Sequence, residues 1–364
     1  MDFAASRRST LGIEWELALV DPASGHLVGR AAEVIEAVGD PRVAGEFLTN
    51  TIELITGVHD DVGGATAELR ELRALVSRAA DHLGVGVVGL GAHPYSDWQL
   101  QTVVPDERYL RVVERTRQWG RQLAIWGVHV HIGLTSCEHA IPAMAAVLAD
   151  YPMLLAISAG SPYWEGEDTG YASHRSMLFQ QLPTGGIPPE FDDWAGLSRE
   201  VDAMLAAGVV LDERELRWDV RPSSRFGTIE VRVFDSMATV AEVGAAAALT
   251  QCIVEEAVRA LEAGRAPRRL PAWAVAENKF RAARWGFDTQ FIIDDAGTVM
   301  HGREWLAQRI DELQPIARDL DCEAKVVSAL SFAQATGADR QRAARRSGGG
   351  KQAIIDALRV DFLR

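Results

Sequence analysis

LGIEWELALV, residues 11–20, is an aliphatic run interrupted by Glu14 and Glu16. Successive side chains of a β-strand point to opposite faces, so the two glutamates share one face and Trp15 takes the other. Three further stretches repeat the device. GVHVHIGL (127–134) carries His129 and His131, RWDVRPSS (217–224) carries Asp219 and Arg221, and GTIEVRVFD (227–235) carries Glu230 and Arg232. Strands that alternate in this way are apolar on one face and charged on the other, the mark of an antiparallel sheet. The pattern therefore predicts an α+β fold, with a curved, mainly antiparallel sheet lining the site and helices packed on its outer face. Massing charge on one face is costly unless anions and cations meet there, so the same pattern predicts a metal and phosphate site or dense ion pairing.

Outward from these strands, DPASG at 21–25 reads as a turn and 31–38 as a short helix. The segment Phe47 to Gly57 is rich in β-branched residues around Glu53 and reads as extended. Leu69, Leu72, Val76 and Leu83 recur at helical spacing between Gly64 and Gly84, and Val85 to Leu90 reads as a buried strand. Helices are expected at 106–125 and 142–159, then from the capping-box pair Thr239 and Glu242 to Leu261, and at 273–285, 302–320, 322–335 and 351–363. The Gly- and Pro-rich passage from Gly160 to Trp194 is long for a loop and is expected to cover a substrate. No linker interrupts the order, and residues 1–364 read as one domain.

Composition narrows the partners. The 364 residues carry 37 basic against 51 acidic side chains, a net charge of -14 that opposes binding to nucleic acid or to an anionic membrane. Small-molecule substrates are expected, with homo-oligomerisation left open. The N-terminus lacks a signal-peptide pattern and no segment reaches the roughly 20 apolar residues of a membrane span, which makes a cytoplasmic location the expectation. Cys137, Cys252 and Cys322 are too few and too scattered for a disulfide framework or a zinc knuckle, and read as buried thiols.

Two motifs fail on context. Gly84-Val-Gly86-Val-Val-Gly89 spells the dinucleotide fingerprint, but a helix precedes it and a strand runs through it, the reverse of what that motif needs. Ser347-Gly-Gly-Gly-Lys351 resembles the end of a P-loop, yet Arg345 stands in place of the first glycine and Gln352 in place of the magnesium-binding hydroxyl. The His129 and His131 pair is comparable to the zinc ligands of metal-dependent hydrolases. In company with Glu14, Glu16, Glu53 and Glu230, however, the donor set is oxygen-rich and suits magnesium or manganese better than zinc.

Seven motifs in order, LGIEWELALVDP, NTIELITGV, GLGAHPYSDW, GVHVHIGL, LPTGGIPPEF, WDVRPSSRFGTIEVRVFD and ENKFRAARWGFD, resemble the carboxylate-amine ligases of the type 2 glutamate-cysteine ligase group, which have a glutamine synthetase-like catalytic fold. They cover roughly residues 11 to 290. One departure is Trp15, where the family usually has an acidic residue; it lies on the face opposite the two glutamates. The resemblance implies ATP-dependent joining of a carboxylate to an amine through an acyl phosphate, typically glutamate to cysteine. It also implies magnesium held by Glu14, Glu16, Glu53, His129 and Glu230, with ATP as a substrate. Arg232 is then the candidate for stabilising the transferring phosphoryl group and Arg221 for phosphate or a substrate carboxylate. His131, Asp219 and His93 are candidates for substrate or ATP binding, as are Lys279, Arg281 and Arg284 on one late helix. On that helix the spacing of Arg281 and Arg284 predicts neighbouring guanidinium groups. Two alternatives remain: a metal-dependent hydrolase built on His129 and His131, which predicts turnover without ATP, and a non-catalytic nucleotide or amino-acid binding protein of the same fold.

Overall fold

The computed structural model describes residues 1–364. Its strands are, in chain order, β1 (Leu11–Val20), β2 (Val43–Gly45), β3 (Thr51–Ile55), β4 (Gly86–Val88), β5 (Gly127–Gly133), β6 (Tyr163–Trp164), β7 (Glu167–Asp168), β8 (Val220–Ser223), β9 (Thr228–Asp235), β10 (Gln290–Ile292) and β11 (Val299–His301). The main sheet runs β2-β3-β1-β5-β9-β8, with β4 on the far end of β1, and every pairing in it is antiparallel. β6 with β7 and β10 with β11 make two separate ribbons.

The helices are α1 (Ala31–Val38), α2 (Val62–Leu83), α3 (Glu107–Thr116), α4 (Gln118–Arg121), α5 (Ala140–Ala149), α6 (Tyr151–Ser158), α7 (His174–Phe179), α8 (Trp194–Ala206), α9 (Val240–Glu262), α10 (Ala272–Trp285), α11 (Gly302–Asp319), α12 (Glu323–Phe332), α13 (Gly337–Arg346) and α14 (Gln352–Phe362). Ile13, Trp15 and Leu17 of β1, with Val130, Ile132, Val231 and Val233, enter one core with Leu69, Leu72 and Val76 of α2 and Ile253 of α9. Each aliphatic side chain buried there contributes about 1.5–3 kcal/mol of transfer free energy. Trp15 is fully buried on this side, and its indole N–H donates to Ser236 Oγ and the Met237 carbonyl at 3.1 Å. α9 starts on the Thr239 and Glu242 capping box, and its Ala245–Ala248 run lets it lie close behind the sheet. The opposite face of the sheet, with Glu14 and Glu16, stays partly open.

Three expectations needed revision. The apolar stretch expected as one helix at 142–159 is broken into α5 and α6 with a 60° bend. Asp150 at the break is fully buried against Arg309 (2.8 Å) and Arg268 (3.3 Å), and Pro152 cannot continue the hydrogen-bond ladder of the preceding helix. The helix expected at 106–125 divides at Arg117, whose φ of 52° is left-handed. The supposed loop from Gly160 to Trp194 contains β6, β7 and α7 and runs into α8. No single helix is long and apolar enough to cross a membrane.

Candidate active site

Register gathers the charged pairs into one row. Glu16 faces Glu53 across β1 and β3, Glu14 faces His129 across β1 and β5, His131 faces Glu230 across β5 and β9, and Glu230 faces Arg221 across β9 and β8. A β-bulge places two residues of β9, Arg232 and Val233, opposite His129 alone, bringing Arg232 beside that histidine. All of these side chains except Val233 line one cavity of about 380 Å³ on the open face of the sheet.

The row has two chemically different ends. At one end Glu230 is buried and accepts from Arg221 Nε at 2.8 Å, from Arg221 Nη2 at 3.2 Å and from Arg232 Nη1. Burial works against its ionisation, but the charges of Arg221 and Arg232 hold it well below the usual carboxylate range. At the other end Glu14, Glu16 and Glu53 have no lysine or arginine partner. Burial pushes Glu16 up to about 7, although it accepts the Gly127 amide. Burial, reinforced by the carboxylates of Glu14, Glu46 and Glu16, pushes Glu53 well above its ordinary range. Burial opposes ionisation of Glu14 too, yet hydrogen bonds from His129 and His131 hold it low.

The two histidines differ: His129 is arranged to present a lone pair, whereas His131 is held among carboxylates. His129 Nδ1 lies 2.8 Å from a Glu14 oxygen, and burial, with Arg232 nearby, depresses its pKa to about 4. A neutral ring that donates from Nδ1 to a carboxylate keeps Nε2 free as a ligand, and Nε2 faces Glu16 at 3.9 Å. His131 Nδ1 meets Thr228 Oγ1 at 2.9 Å, and its Nε2 faces Glu14 at 3.6 Å. Burial lowers its pKa, but Glu230 and Glu14 together raise it above the ordinary value. Two groups, Glu14 with Glu53 and His129, and Glu14 with His131 and Glu230, hold potential ligand atoms within 4.8 Å of one another.

Five of the residues singled out in the sequence lie elsewhere. Asp219 lies just before β8, its carbonyl accepting the Arg232 amide at 2.8 Å, and its side chain does not enter the cavity beside Arg221. It is buried against Tyr151 (2.8 Å) and Lys279 (2.7 Å), which holds both Asp219 and Lys279 outside the cavity. His93 is buried in the turn region, with Nε2 on the Gly25 carbonyl at 2.9 Å and Nδ1 accepting the Ser96 amide at 2.9 Å. Arg281 and Arg284 do not converge. Arg281 turns back to Glu277 and the Gln290 carbonyl, whereas Arg284 reaches the Gly170 carbonyl.

The structure adds residues that sequence reasoning missed. Glu46 lines the cavity beyond β2 and accepts from Tyr109 at 2.6 Å. Arg175, from α7, is buried and lines the cavity without a carboxylate within ion-pair distance, and its Nε has no partner. Arg217 also lines it without a carboxylate, and burial lowers its pKa to about 10. The only sequence signal for Arg175 was its place in the passage expected to cover a substrate.

Known proteins share both the sequence and the fold. A family model described as glutamate-cysteine ligase family 2 matches residues 10–358. A protein of Mycobacterium sp. (strain KMS) named "Putative glutamate--cysteine ligase 2-1" is 42% identical over 361 residues, covering 98% of this chain and 96% of that relative. One of Micrococcus luteus, named "Putative glutamate--cysteine ligase 2", is 45% identical over 352 residues, 94% of this chain and 88% of the relative. Among solved structures, the glutamate–cysteine ligase of Francisella tularensis in complex with AMP superposes with a TM-score of 0.73 at 15% identity, over 100% of this chain and 90% of that one. A bifunctional glutathione synthetase of Pasteurella multocida gives 0.72 at 14% identity, over 97% of this chain and 52% of that one. These two likenesses are of fold. With 42% identity sustained over 98% of its length and a family model matched from residue 10 to residue 358, the chain belongs to the glutamate-cysteine ligase family 2.

Proposed function

We propose that residues 1–364 act as one ATP-dependent carboxylate-amine ligase that joins the side-chain carboxylate of glutamate to the amino group of cysteine through an acyl phosphate. The observation that carries this reading is the division of the row. Glu14, Glu16 and Glu53 converge without a lysine or arginine partner, next to an end where Arg221 and Arg232 flank Glu230. Carboxylate oxygens are the donors that magnesium takes, and crowded carboxylates call for a cation. Glu14, Glu16, Glu53, His129 and Glu230 are the proposed holders of magnesium ions, Glu14 sharing one group of potential ligands with Glu53 and His129 and another with His131 and Glu230. Magnesium bound there would supply neutralisation of phosphate charge during transfer. Family membership and the relatives' names support the ligase class.

In the reaction a carboxylate oxygen attacks the γ-phosphorus and ADP departs; the amine nitrogen then attacks the acyl carbon, phosphate departs and the amine loses a proton. Arg232 stabilises the transferring phosphoryl group, while Glu230 fixes the direction of its guanidinium. Loss of such a group typically lowers the rate about 10²- to 10³-fold. Arg221 and Arg175 take the anionic groups of the substrates, Arg175 having no carboxylate of its own. Phe179 and Leu182, which line the cavity beside Arg175, exclude water from the acyl phosphate.

The test is ADP release from purified protein with ATP, magnesium, glutamate and cysteine, with other acid and amine pairs in parallel and hydroxylamine as a trap. Acceptor-dependent ADP and a glutamyl hydroxamate are expected. Absence of ADP with every pair refutes the ligase. Turnover without ATP favours the hydrolase, and nucleotide binding without ADP favours the binding protein.

A further inference from the structure

Arg175 reaches the cavity from a short helix in a passage rich in glycine and proline, and something must hold it there. Behind it lies Asp235, the last residue of β9. Its carboxylate is fully buried, and no cation pairs with it. One oxygen accepts from the Gly160 amide at 2.9 Å and the Ser161 hydroxyl at 2.6 Å, and the other accepts from the Ser173 hydroxyl at 2.8 Å. Ser161 Oγ in turn accepts the amide of Arg175 at 3.0 Å, and Ser173 caps α7 by accepting the Ser176 amide. Asp235 thus ties three segments to β9, three residues beyond Arg232: the end of α6 through its own amide, which donates to Ser158 Oγ at 3.2 Å, and the start of the Gly160 passage and the N-cap of α7 through its carboxylate.

Two glycines make room for this arrangement. A Cβ at Gly91 would lie 2.4 Å from the Asp235 carboxylate, and one at Gly127 would lie 2.2 Å from Arg175 Nη2. Gly91 closely follows the glycine run that spells a dinucleotide fingerprint. Gly127 faces Asp235 in the ladder and donates its amide to Glu16, so the strand that positions the metal-side carboxylate also supports the arginine. The guanidinium rests against the Arg232 carbonyl at 3.4 Å and over the Phe179 ring, leaving Nε free.

We propose that Asp235 is a positioning residue: through Ser161 and Ser173 it fixes the first turn of α7 and so aims the guanidinium of Arg175 at an anionic group of the bound substrates. The inference rests on the ligase reading for what Arg175 binds, but not for the fact that Asp235 aims it. Asn at position 235 keeps the shape and replaces one acceptor oxygen with a donor, which cannot accept from the hydroxyls and amide that converge there.

The experiment has two arms, using the full chain. In the first, hydrogen exchange of peptides spanning 160–179 is compared between wild type, D235N and S173A. The proposal expects exchange there to rise about tenfold or more in D235N and less in S173A, with the β1 and β5 peptides unchanged. Unchanged exchange in the 160–179 peptides overturns it, as does an equal rise throughout the protein. In the second arm, ADP formation is measured in D235N, R175A and the double variant. A misaimed group costs about 10- to 100-fold in kcat/KM. D235N should fall by that amount, R175A by as much or more, and the double variant should equal R175A alone. Multiplicative losses in the double variant, or a wild-type rate in D235N or R175A, overturn the proposal. If D235N does not fold, S161A replaces it in both arms. If wild type forms no ADP while the exchange of 160–179 responds as stated, the ligase reading fails and the positioning role stands.

Discussion

Replacing Glu16 by glutamine should stabilise the metal-free protein and disable it. Glu16 is enclosed, and burial raises its pKa to about 7, against an ordinary 4.5. The folded state therefore binds the proton more tightly than the unfolded chain does. Stability is full below pH 4.5 and is lost as pH rises from 4.5 through 7. At about 1.4 kcal/mol per pH unit, this loss amounts to roughly 3 kcal/mol by pH 8. Glutamine does not titrate, and its carbonyl oxygen can still accept the Gly127 amide, so E16Q escapes the loss. For a chain of 364 residues, unfolding entropy near 60 °C is about 0.8 kcal/mol/K, which converts the gain to about 4 °C in Tm. The assay is thermal or urea unfolding in EDTA at pH 4.5 and pH 8, followed by ADP formation with magnesium. E16Q should match wild type at pH 4.5, exceed it by about 3 kcal/mol at pH 8, and lose ligase turnover by about 10²-fold or more. A destabilised E16Q at pH 8, or the same gain at both pH values, would refute the argument that this carboxylate is buried without a cation.

Three further outcomes follow from other parts of the molecule. Magnesium at 100 times its Kd should stabilise the wild type by about 2.7 kcal/mol, a Tm rise of about 3–4 °C that EDTA reverses and E53Q abolishes, read by differential scanning fluorimetry. His93 is buried and burial lowers its pKa to about 3, so the stability it contributes is present above pH 6.5 and is lost as pH falls from 6.5 toward 3. The unfolding free energy of wild type in urea should thus drop by about 3 kcal/mol more than that of H93Q between pH 7.5 and 4.5, and equal drops would rule this out. R309M should lose about 3–5 kcal/mol in urea unfolding, because Arg309 is buried against Asp150 and its removal leaves that carboxylate to Arg268 alone; a loss below about 1 kcal/mol would show that Arg268 suffices.

The strands of the site were legible because a period of two, once set by Ile13, Trp15 and Leu17, fixes where Glu14 and Glu16 point. The same rule placed His129 with His131 and Glu230 with Arg232, and register then did the rest. It failed at Asp219, which lies just before β8 and whose side chain follows Lys279 instead of Arg221. It was silent on Glu46 and Arg175, which lie outside strands and whose direction is set by distant partners: Tyr109 for the former, the Asp235 network for the latter. The break between α5 and α6 was hidden for a similar reason. Asp150 reads as a polar interruption of an apolar helix until Arg309, remote in sequence, arrives to bury it. Helical spacing placed Arg281 and Arg284 near each other, but each guanidinium found a carbonyl elsewhere.

The row of side chains is stitched from segments that lie far apart along the chain: residue 14 pairs with 129, and 131 with 230. The arginine end is different, since β8 and β9 form a hairpin and can close early. Loop-closure entropy must be overcome before β1 meets β5, so the carboxylate end should take shape late in folding, after the hairpin has formed. A chain caught between those stages would carry Arg221 and Arg232 in place while still lacking the group of carboxylates opposite them. On the proposed function, such a species would attract nucleotide without the means to act on it. Magnesium, if it binds there as proposed, would favour the last pairing and so serve the newly made chain as a folding ligand before it serves the reaction.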